Sequence, residues 1–271
     1  MPKLRIIFMG SPAFALPCFK ALTQTNHDII GCYTQAAKPA HRGKKITNCP
    51  VAQYAITNKI PLFTPSTLNN PQTLSEFKNL AADLVVVAAY GLIIPENFLK
   101  LPKFGFINIH PSKLPNWRGA APIIRTIQSG ATETEICIIK MVKALDAGPI
   151  IAKEQVAIPA TMTAGELHDI ASEIGSDLVI KSINSLAAGE QLKAQPQKTI
   201  GLTYANKIQK TEAKLDFNET GQNLLNKIRA FNPYPAAYFI YQQEQLKIFK
   251  AEFIQQAHQH KIAEINLADF S

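Results

Sequence analysis

Short apolar runs alternate with amphipathic segments through most of the chain. The runs at 4–10, 27–35 and 83–90 have the length and composition of buried strands, and the last is apolar on both faces. Helical patterns follow or separate these runs, at 13–25, 51–59 and 74–80. Strands that alternate with helices are typical of an open α/β fold with a parallel-rich sheet.

A later strand pattern, within 104–119, carries the first candidate chemistry. Alternation with a period of two puts Ile107 and Ile109 on one face, and Asn108 and His110 on the other. An amide and an imidazole therefore lie side by side at the end of the run, and ligands of open α/β sheets bind at the carboxyl ends of strands. The alternative is structural, because Asn and His also bond to nearby backbone where a strand ends.

Asp146 is the candidate partner of this pair. It belongs to the loop LDAG at 145–148, which follows a predicted strand at 135–142, and the segment 149–158 is expected to complete a hairpin. Asp is a common turn residue, which is one explanation of its presence. The other is that its carboxylate reaches His110, fixes the tautomer of the ring and stabilises its charge.

The clearest helix signal lies at 163–188. Thr163 and Glu166 have the spacing of a capping box, and Gly189 follows the last predicted turn. We expect this helix to close a first domain at 1–189, followed by a polar linker at 190–207.

The remainder, 208–271, is expected to be a second, small β-rich domain. It contains a predicted helix at 219–231, a turn at the sequence NPYP, and two strand patterns that form a hairpin around Glu244 and Gln245.

Composition excludes several classes of protein. Apolar residues make up 46% of the chain, as in soluble globular proteins, and the apolar runs are too short to span a bilayer. The first strand and helix lack GxGxxG, which disfavours NAD binding. The four cysteines stand far apart, and HExxH does not occur, so no metal site is expected. We expect a cytoplasmic protein.

Positive charge is concentrated in two windows. Between Asp28 and Glu76, and again between Glu96 and Glu133, there are five Lys or Arg residues and no acid, whereas the whole chain has a net charge of +8. Such a surface fits a polyanion, because phosphate neutralisation supplies much of the affinity for nucleic acids. A basic surface that only aids solubility is the alternative.

One basic segment is long for a βα connection. The stretch 36–50 contains Pro39 and Gly43 and shows little helical or strand periodicity, and Arg42, Lys44 and Lys45 cluster around that glycine. We favour a basic finger that orders on a phosphate backbone, over a solvated insertion.

Several blocks resemble the methionyl-tRNA formyltransferases along nearly the whole chain. The Asn-x-His and LDxG elements are shared with other folate-dependent formyltransferases, whereas the basic loop and the last two blocks are typical of the tRNA enzymes. The matching blocks are FMGSPAFALP (8–17), HRGKK (41–45), VVVAAYGLIIP (85–95), INIHPSKLPNWRGAAPI (107–123), LDAGPI (145–150), TYANKIQKTEA (203–213) and RAFNPYPAAYF (229–239).

The resemblance implies a Rossmann-like formyltransferase domain followed by an OB-like barrel. It implies transfer of a formyl group from 10-formyltetrahydrofolate to the amino group of methionine on charged initiator tRNA, for translation initiation, by a monomer without a metal ion. The implied catalytic residues are Asn108, His110 and Asp146. The implied folate-contacting residues are Ser112, Lys113, Leu114 and Pro115, and Arg42, Lys44 and Lys45 are implied to enter the acceptor stem.

The chain departs from the family pattern at three places. Lys113 stands where the family usually has Leu, and Asn116 replaces a common Arg. The 64 residues from Ile208 onward are few for a five-stranded barrel with a leading helix, so this domain is expected to be short or incomplete.

Three other functions remain open on the sequence. A formyltransferase acting on a nucleotide-linked amino sugar, or a formyltetrahydrofolate hydrolase, would use the same three side chains without needing the basic finger. A non-catalytic RNA-binding protein would explain the charge, but it gives no reason for Asn108, His110 and Asp146 to occur together.

Overall fold

The computed structural model describes residues 2–40 and 45–252. The described strands are β1 (Arg5–Gly10), β2 (Asp28–Tyr33), β3 (Lys38–Ala40), β4 (Lys45–Thr47), β5 (Leu62–Phe63), β6 (Leu84–Ala88), β7 (Phe106–His110), β8 (Arg118–Gly119), β9 (Glu133–Lys140), β10 (Ile150–Ala157), β11 (Tyr204–Ala205), β12 (Ala237–Tyr241) and β13 (Glu244–Ile248). The helices are α1 (Leu16–Thr23), α2 (Pro50–Thr57), α3 (Pro71–Asn79), α4 (Glu96–Leu99), α5 (Pro122–Gln128), α6 (Ala164–Ala187) and α7 (Gly221–Ala230), with 3₁₀ turns at Ala13–Ala15 and Lys210–Ala213. None of these helices is long and apolar enough to cross a membrane.

The central sheet has the strand order β10-β9-β7-β6-β1-β2-β5. The pairs from β7 through β6, β1 and β2 to β5 are parallel, whereas β9 is antiparallel to β7 and β10 is antiparallel to β9. The predicted α/β fold with a parallel-rich sheet is confirmed.

Each face of the sheet carries its own hydrophobic core. Ile107 and Ile109 of β7 belong to the core that also contains α1 and α6 side chains, and Phe106 belongs to the core on the opposite face. The alternation read from the sequence is therefore confirmed, and it fixes the direction in which Asn108 and His110 point. Helix α6 begins at the predicted capping box, in which Thr163 and Glu166 bond to each other's backbone N–H.

The basic segment has more regular structure than predicted. Strands β3 and β4 pair as an antiparallel hairpin, with Lys38 opposite Thr47. Strands of three residues are too short to display a period, which is why the pattern did not reveal them. The tip, 41–44, with Arg42 and Lys44, lies outside the described residues.

The C-terminal segment packs on the sheet domain through α7. Arg229 of α7 is buried and donates to the carbonyl oxygens of Met162 and Ile127, at 3.3 and 3.5 Å. The predicted hairpin of β12 and β13 is present, but it turns at Gln242 and Gln243, two residues before the predicted position. Both turn residues have positive φ, a backbone conformation that a propensity pattern for Gln does not indicate.

Candidate active site

His110 is buried at the carboxyl end of β7. The residue is 3% exposed, and both ring nitrogens face oxygen atoms. Nε2 lies 3.1 Å from the carbonyl oxygen of Trp117, and Nδ1 lies 3.6 Å from Oδ2 of Asp146. The structure thus brings the predicted imidazole and carboxylate together.

Asp146 reaches His110 through a loop that folds back along the sheet. Because β9 is antiparallel to β7, its last residue, Lys140, pairs with Ile107, whereas His110 pairs with Cys137 in the middle of β9. The carboxyl end of β9 is therefore at the wrong edge of the sheet, and the loop 141–149 folds back to place Asp146 beside the ring.

The backbone around the carboxylate is tightly constrained. Oδ2 of Asp146 accepts a hydrogen bond of 2.8 Å from the N–H of Gly119. Asp146 and Trp117 both have left-handed backbone conformations, with φ of +47° and +62°. Non-glycine residues in this region cost about 1 kcal/mol or more each and cluster at functional sites.

Position 119 accepts only glycine. Its φ is +121°, and a Cβ there would stand 2.8 Å from the carbonyl oxygen of Ala205, with which it pairs across β8 and β11. The close approach of β11 on one side leaves the N–H of Gly119 available to Asp146.

Burial lowers the pKa of His110 below its ordinary value, and the nearby Arg118 acts in the same direction. The Asp146 carboxylate and the Trp117 carbonyl oppose this by favouring the protonated ring. The lowered pKa keeps the imidazole neutral near pH 7, which is the form that accepts a proton.

The hydrogen bonds also assign the tautomer. The Trp117 carbonyl can only accept, so the single proton of the neutral ring is on Nε2 and the lone pair is on Nδ1. A proton taken up at Nδ1 would face the Asp146 carboxylate, which stabilises the resulting charge.

Asn108 presents a free amide next to this pair. It is half-buried on β7, two residues before His110 and on the same face of the strand. Among the residues that the structure describes, no hydrogen bond partner of its side chain is found. A donor that is partly removed from water and unpaired is suited to an oxygen atom of a ligand.

The predicted folate-contacting turn follows His110 directly. Ser112, Leu114 and Pro115 are buried, and the Ser112 hydroxyl donates to the carbonyl oxygen of Asn116 at 2.7 Å. The Lys113 amine is exposed and forms an ion pair with Glu133. The backbone of the turn thus borders the site, whereas the Ser112 and Lys113 polar groups already have protein partners; the folate contacts stay predictions.

Of the three predicted tRNA-contacting residues, the structure describes one. Arg42 and Lys44 lie outside the described residues, and Lys45 is the first residue of β4. Their expected role stays a prediction.

Sequence reasoning missed three residues that shape the site. They are Trp117 and Gly119, which bond to His110 and Asp146, and Gln197, which bonds to the Asp146 loop from the predicted linker. Trp117 and Gly119 belong to the sequence WRG, which begins within ten residues of Asn108 and His110, and this closeness could have marked them as site residues. No local pattern distinguishes Gln197 from its polar neighbours.

Gly148→Ala is expected to disrupt the Asp146 loop. A Cβ at Gly148 would stand 1.7 Å from the backbone oxygen of Lys140, which cannot move without breaking β9. We expect a loss of stability of about 1–3 kcal/mol and a larger loss of activity, because Asp146 is two residues away. Thermal unfolding and turnover measure the two effects.

Gly189→Ala is the control for backbone strain without a steric clash: its φ is +84°, no atom lies within 4 Å of a Cβ built there, and the position is distant from Asp146 along the chain. It should lose some stability and keep its turnover. If Gly148→Ala keeps full turnover, the loop does not need its present conformation.

Two family patterns match the chain. The pattern described as "Formyl transferase" matches residues 4–183, and that described as "Formyl transferase, C-terminal domain" matches residues 207–269.

Curated relatives are similar over almost the full chain. A methionyl-tRNA formyltransferase of Xanthomonas euvesicatoria pv. vesicatoria is 42% identical over 257 residues, which is 95% of this chain and 83% of the relative. Another, of Xylella fastidiosa (strain M23), is 40% identical over 92% of this chain and 80% of its own length.

Solved structures with the same fold include enzymes that act on other acceptors. The sugar 3N-formyl transferase WlaRD has a TM-score of 0.69 and 21% identity, covering 94% of this chain and 89% of its own. The N-formyltransferase of Helicobacter canadensis has a TM-score of 0.69 and 19% identity, covering 93% and 90%. At these identities, the likeness concerns the fold alone.

Proposed function

The chain belongs to the methionyl-tRNA formyltransferase family, and on this premise we propose that Asn108, His110 and Asp146 carry formyl transfer from 10-formyltetrahydrofolate to the amino group of methionyl-tRNA. The single observation that supports these roles is the approach of the Asp146 carboxylate to within 3.6 Å of the buried His110 ring, beside an unpaired Asn108 amide.

The residues around the site fit a bound formyl donor. The Asn108 side chain lacks a partner among the described residues, and a formyl oxygen is the acceptor that such an amide requires. The Ser112 to Pro115 turn borders the same site and is proposed to hold the donor. 10-Formyltetrahydrofolate supplies the formyl group when bound.

Each of the three side chains has one task in the proposed mechanism. Asn108 donates its amide N–H to the formyl oxygen as negative charge develops there, when the neutral amine adds to the formyl carbon. His110 accepts the amine proton at Nδ1 and returns it to the leaving nitrogen of the donor, so that one C–N bond forms and another breaks with no net proton change. Asp146 stabilises the protonated ring during this exchange.

The acceptor is proposed to be charged initiator tRNA. The basic windows, the hairpin β3–β4 and the family relationship support a polyanionic substrate, which neither an amino-sugar formyltransferase nor a formyltetrahydrofolate hydrolase would need. We further propose a cytoplasmic monomer, a catalytic domain at 1–189, a linker at 190–207 and a tRNA-binding domain at 208–271.

Formylation of charged initiator tRNA tests this function directly. The protein is incubated with methionyl initiator tRNA and 10-formyltetrahydrofolate, and N-formylmethionine is measured after release from the tRNA. Turnover that occurs with a nucleotide-linked amino sugar but not with tRNA would contradict the proposal, as would release of formate without any acceptor.

Charge reversal of the basic finger tests the tRNA contact. Arg42→Glu with Lys45→Glu is expected to raise the KM for methionyl-tRNA at least about 10-fold near physiological salt, because two phosphate contacts are replaced by repulsion. The kcat should change little. KM is measured at several salt concentrations, and the slope of log KM against log salt should become shallower by about two.

Lys78→Glu with Lys181→Glu serves as a matched control, since both residues are exposed and lie outside the two basic windows, and it changes the net charge by the same amount. If the finger variant and the control have equal KM values, the finger does not contact the tRNA.

A further inference from the structure

Residues 195–205 run along the candidate active site and bond to the segments that carry Trp117, Gly119 and Asp146. Gln195 exchanges two backbone hydrogen bonds with Ile150, just after the Asp146 loop. Thr203 accepts from the N–H of Trp117 through its hydroxyl and from the N–H of Arg118 through its carbonyl, at 2.9 and 3.0 Å. A segment that the sequence predicts as a linker is therefore part of the wall of the site.

Gln197 makes the side-chain contacts of this segment. Its amide nitrogen donates to the carbonyl oxygens of Asp146 and Gly148, at 2.7 Å each. Its amide oxygen accepts from Nε and Nη2 of Arg118, at 3.1 and 2.6 Å. Both N–H donors and both acceptor positions of the amide are thus used, and the partners are Asp146 itself, the nearby Gly148 and Arg118.

The conformation of the Asp146 loop depends on the two hydrogen bonds that Gln197 donates to it. Asp146 has a φ of +47°, which the loop does not favour by itself, and the two bonds from Gln197 join its carbonyl to that of Gly148 two residues later. The same side chain also bonds to Arg118. Arg118 and Asp146 are the two charged groups that act on the pKa of His110. One residue therefore sets the positions of both charges that act on the ring.

We propose that Gln197 is a positioning residue for formyl transfer, which holds the Asp146 loop and Arg118 in the arrangement that His110 requires. The proposal rests on the proposed roles of His110 and Asp146. Gln197 does not touch the reacting atoms, so its effect passes through Asp146.

Two substitutions separate the contacts of Gln197. Gln197→Ala removes all of them. Gln197→Glu keeps the shape and an acceptor for Arg118, but it replaces the donor of both carbonyl bonds with an oxygen that repels them. We expect either variant to lower kcat on the order of 10- to 100-fold with little change in the KM for methionyl-tRNA, because a small misplacement of a supporting group costs this much.

A pH profile provides a readout that general destabilisation would not move. Gln197→Ala releases both charges that act on the ring: loss of Asp146 lowers the pKa of His110, and loss of Arg118 raises it. The effect of Asp146 is the larger of the two, so the pKa of the ring is expected to fall further. The acid limb of kcat/KM, which reports the free enzyme, is therefore expected to shift to lower pH. Gln191→Ala is the matched control, since Gln191 is an exposed glutamine of the same predicted linker with no partner among the described residues.

Combination with Asp146→Asn completes the test. If Gln197 acts through Asp146, adding Gln197→Ala to Asp146→Asn should lower kcat by less than about 3-fold further. If the two residues act independently, the fold losses in kcat of the single variants would multiply in the double variant. Wild-type turnover in Gln197→Ala and Gln197→Glu, or an unshifted acid limb, would overturn this proposal while leaving the formyltransferase function intact. Failure of the wild-type protein to formylate methionyl-tRNA would instead reject the proposed function.

Discussion

Asn108→Asp is expected to lower kcat for formylation of methionyl-tRNA by about 10²- to 10³-fold, which corresponds to a loss of about 3–4 kcal/mol of transition-state stabilisation. The amide of Asn108 has no partner among the described residues and lies on the same face of β7 as His110, so it is placed to donate to the formyl oxygen. An ionised Asp cannot donate, and it adds negative charge where negative charge develops. Single-turnover kinetics with saturating tRNA measure the chemical step.

The affinity for tRNA should be nearly unchanged, because the substitution lies away from the basic finger. Asn69→Asp is a suitable control, since Asn69 is exposed and the change in net charge is the same. A chemical step in Asn108→Asp as fast as in the control would remove Asn108 from the mechanism.

Asp146→Asn is expected to lower kcat by about 10²- to 10⁴-fold. The carboxylate faces Nδ1 of His110 at 3.6 Å and stabilises the ring once it is protonated, whereas a neutral amide does not. An Asn oxygen can still accept the N–H of Gly119, so the loop is expected to keep its conformation and the protein its stability. The loss therefore reports the charge and not the fold.

The pH dependence of this variant has a definite sign. The Asp146 charge raises the pKa of His110 against the larger effect of burial, so removing that charge lowers the pKa further. The neutral ring then persists to lower pH, and the acid limb of kcat/KM should move downward even though the plateau is lower. The profile is measured from about pH 8 down to the lowest pH at which the protein stays folded, because the pKa of the buried ring already lies below the ordinary range of His.

A second His–Asp pair offers a matched control. His168 and Asp169 lie on the surface, with Nδ1 and Oδ1 2.9 Å apart, and neither borders the site. Asp169→Asn should leave both kcat and the acid limb unchanged. An acid limb that moves upward in Asp146→Asn, or that does not move, would exclude Asp146 as the group that supports the charge of His110.

Local sequence patterns were sufficient to predict β7, the strand that carries Asn108 and His110. The alternation of β7 buries Ile107 and Ile109 in one core and Phe106 in the other. It can be read from the sequence whichever strands pair with β7. The capping box of α6 is likewise local, since Thr163 and Glu166 are three residues apart. These predictions did not require knowledge of which strands are neighbours.

The contact between His110 and Asp146 could not be derived in the same way. A strand, a helix and a second strand usually form a parallel unit, which would put the ends of β7 and β9 at one edge of the sheet. In this protein β9 is antiparallel to β7, and the loop 141–149 compensates by folding back. The structure brings Asp146 to His110, as the sequence led us to expect, but the direction of β9 and the path of the loop could be read only from the structure.

The sequence by itself determined the α/β class, the faces of β7, the positions of the main helices and, through its resemblance to a family, the candidate reaction. Only the tertiary structure decided the direction of β9, the tautomer of His110 set by Trp117, and the involvement of Gln197 across 49 and 51 residues of chain. The physical reason is that helix caps and strand alternation are satisfied within a few residues, whereas the hydrogen bonds of the site join segments that become neighbours only when the cores close around them.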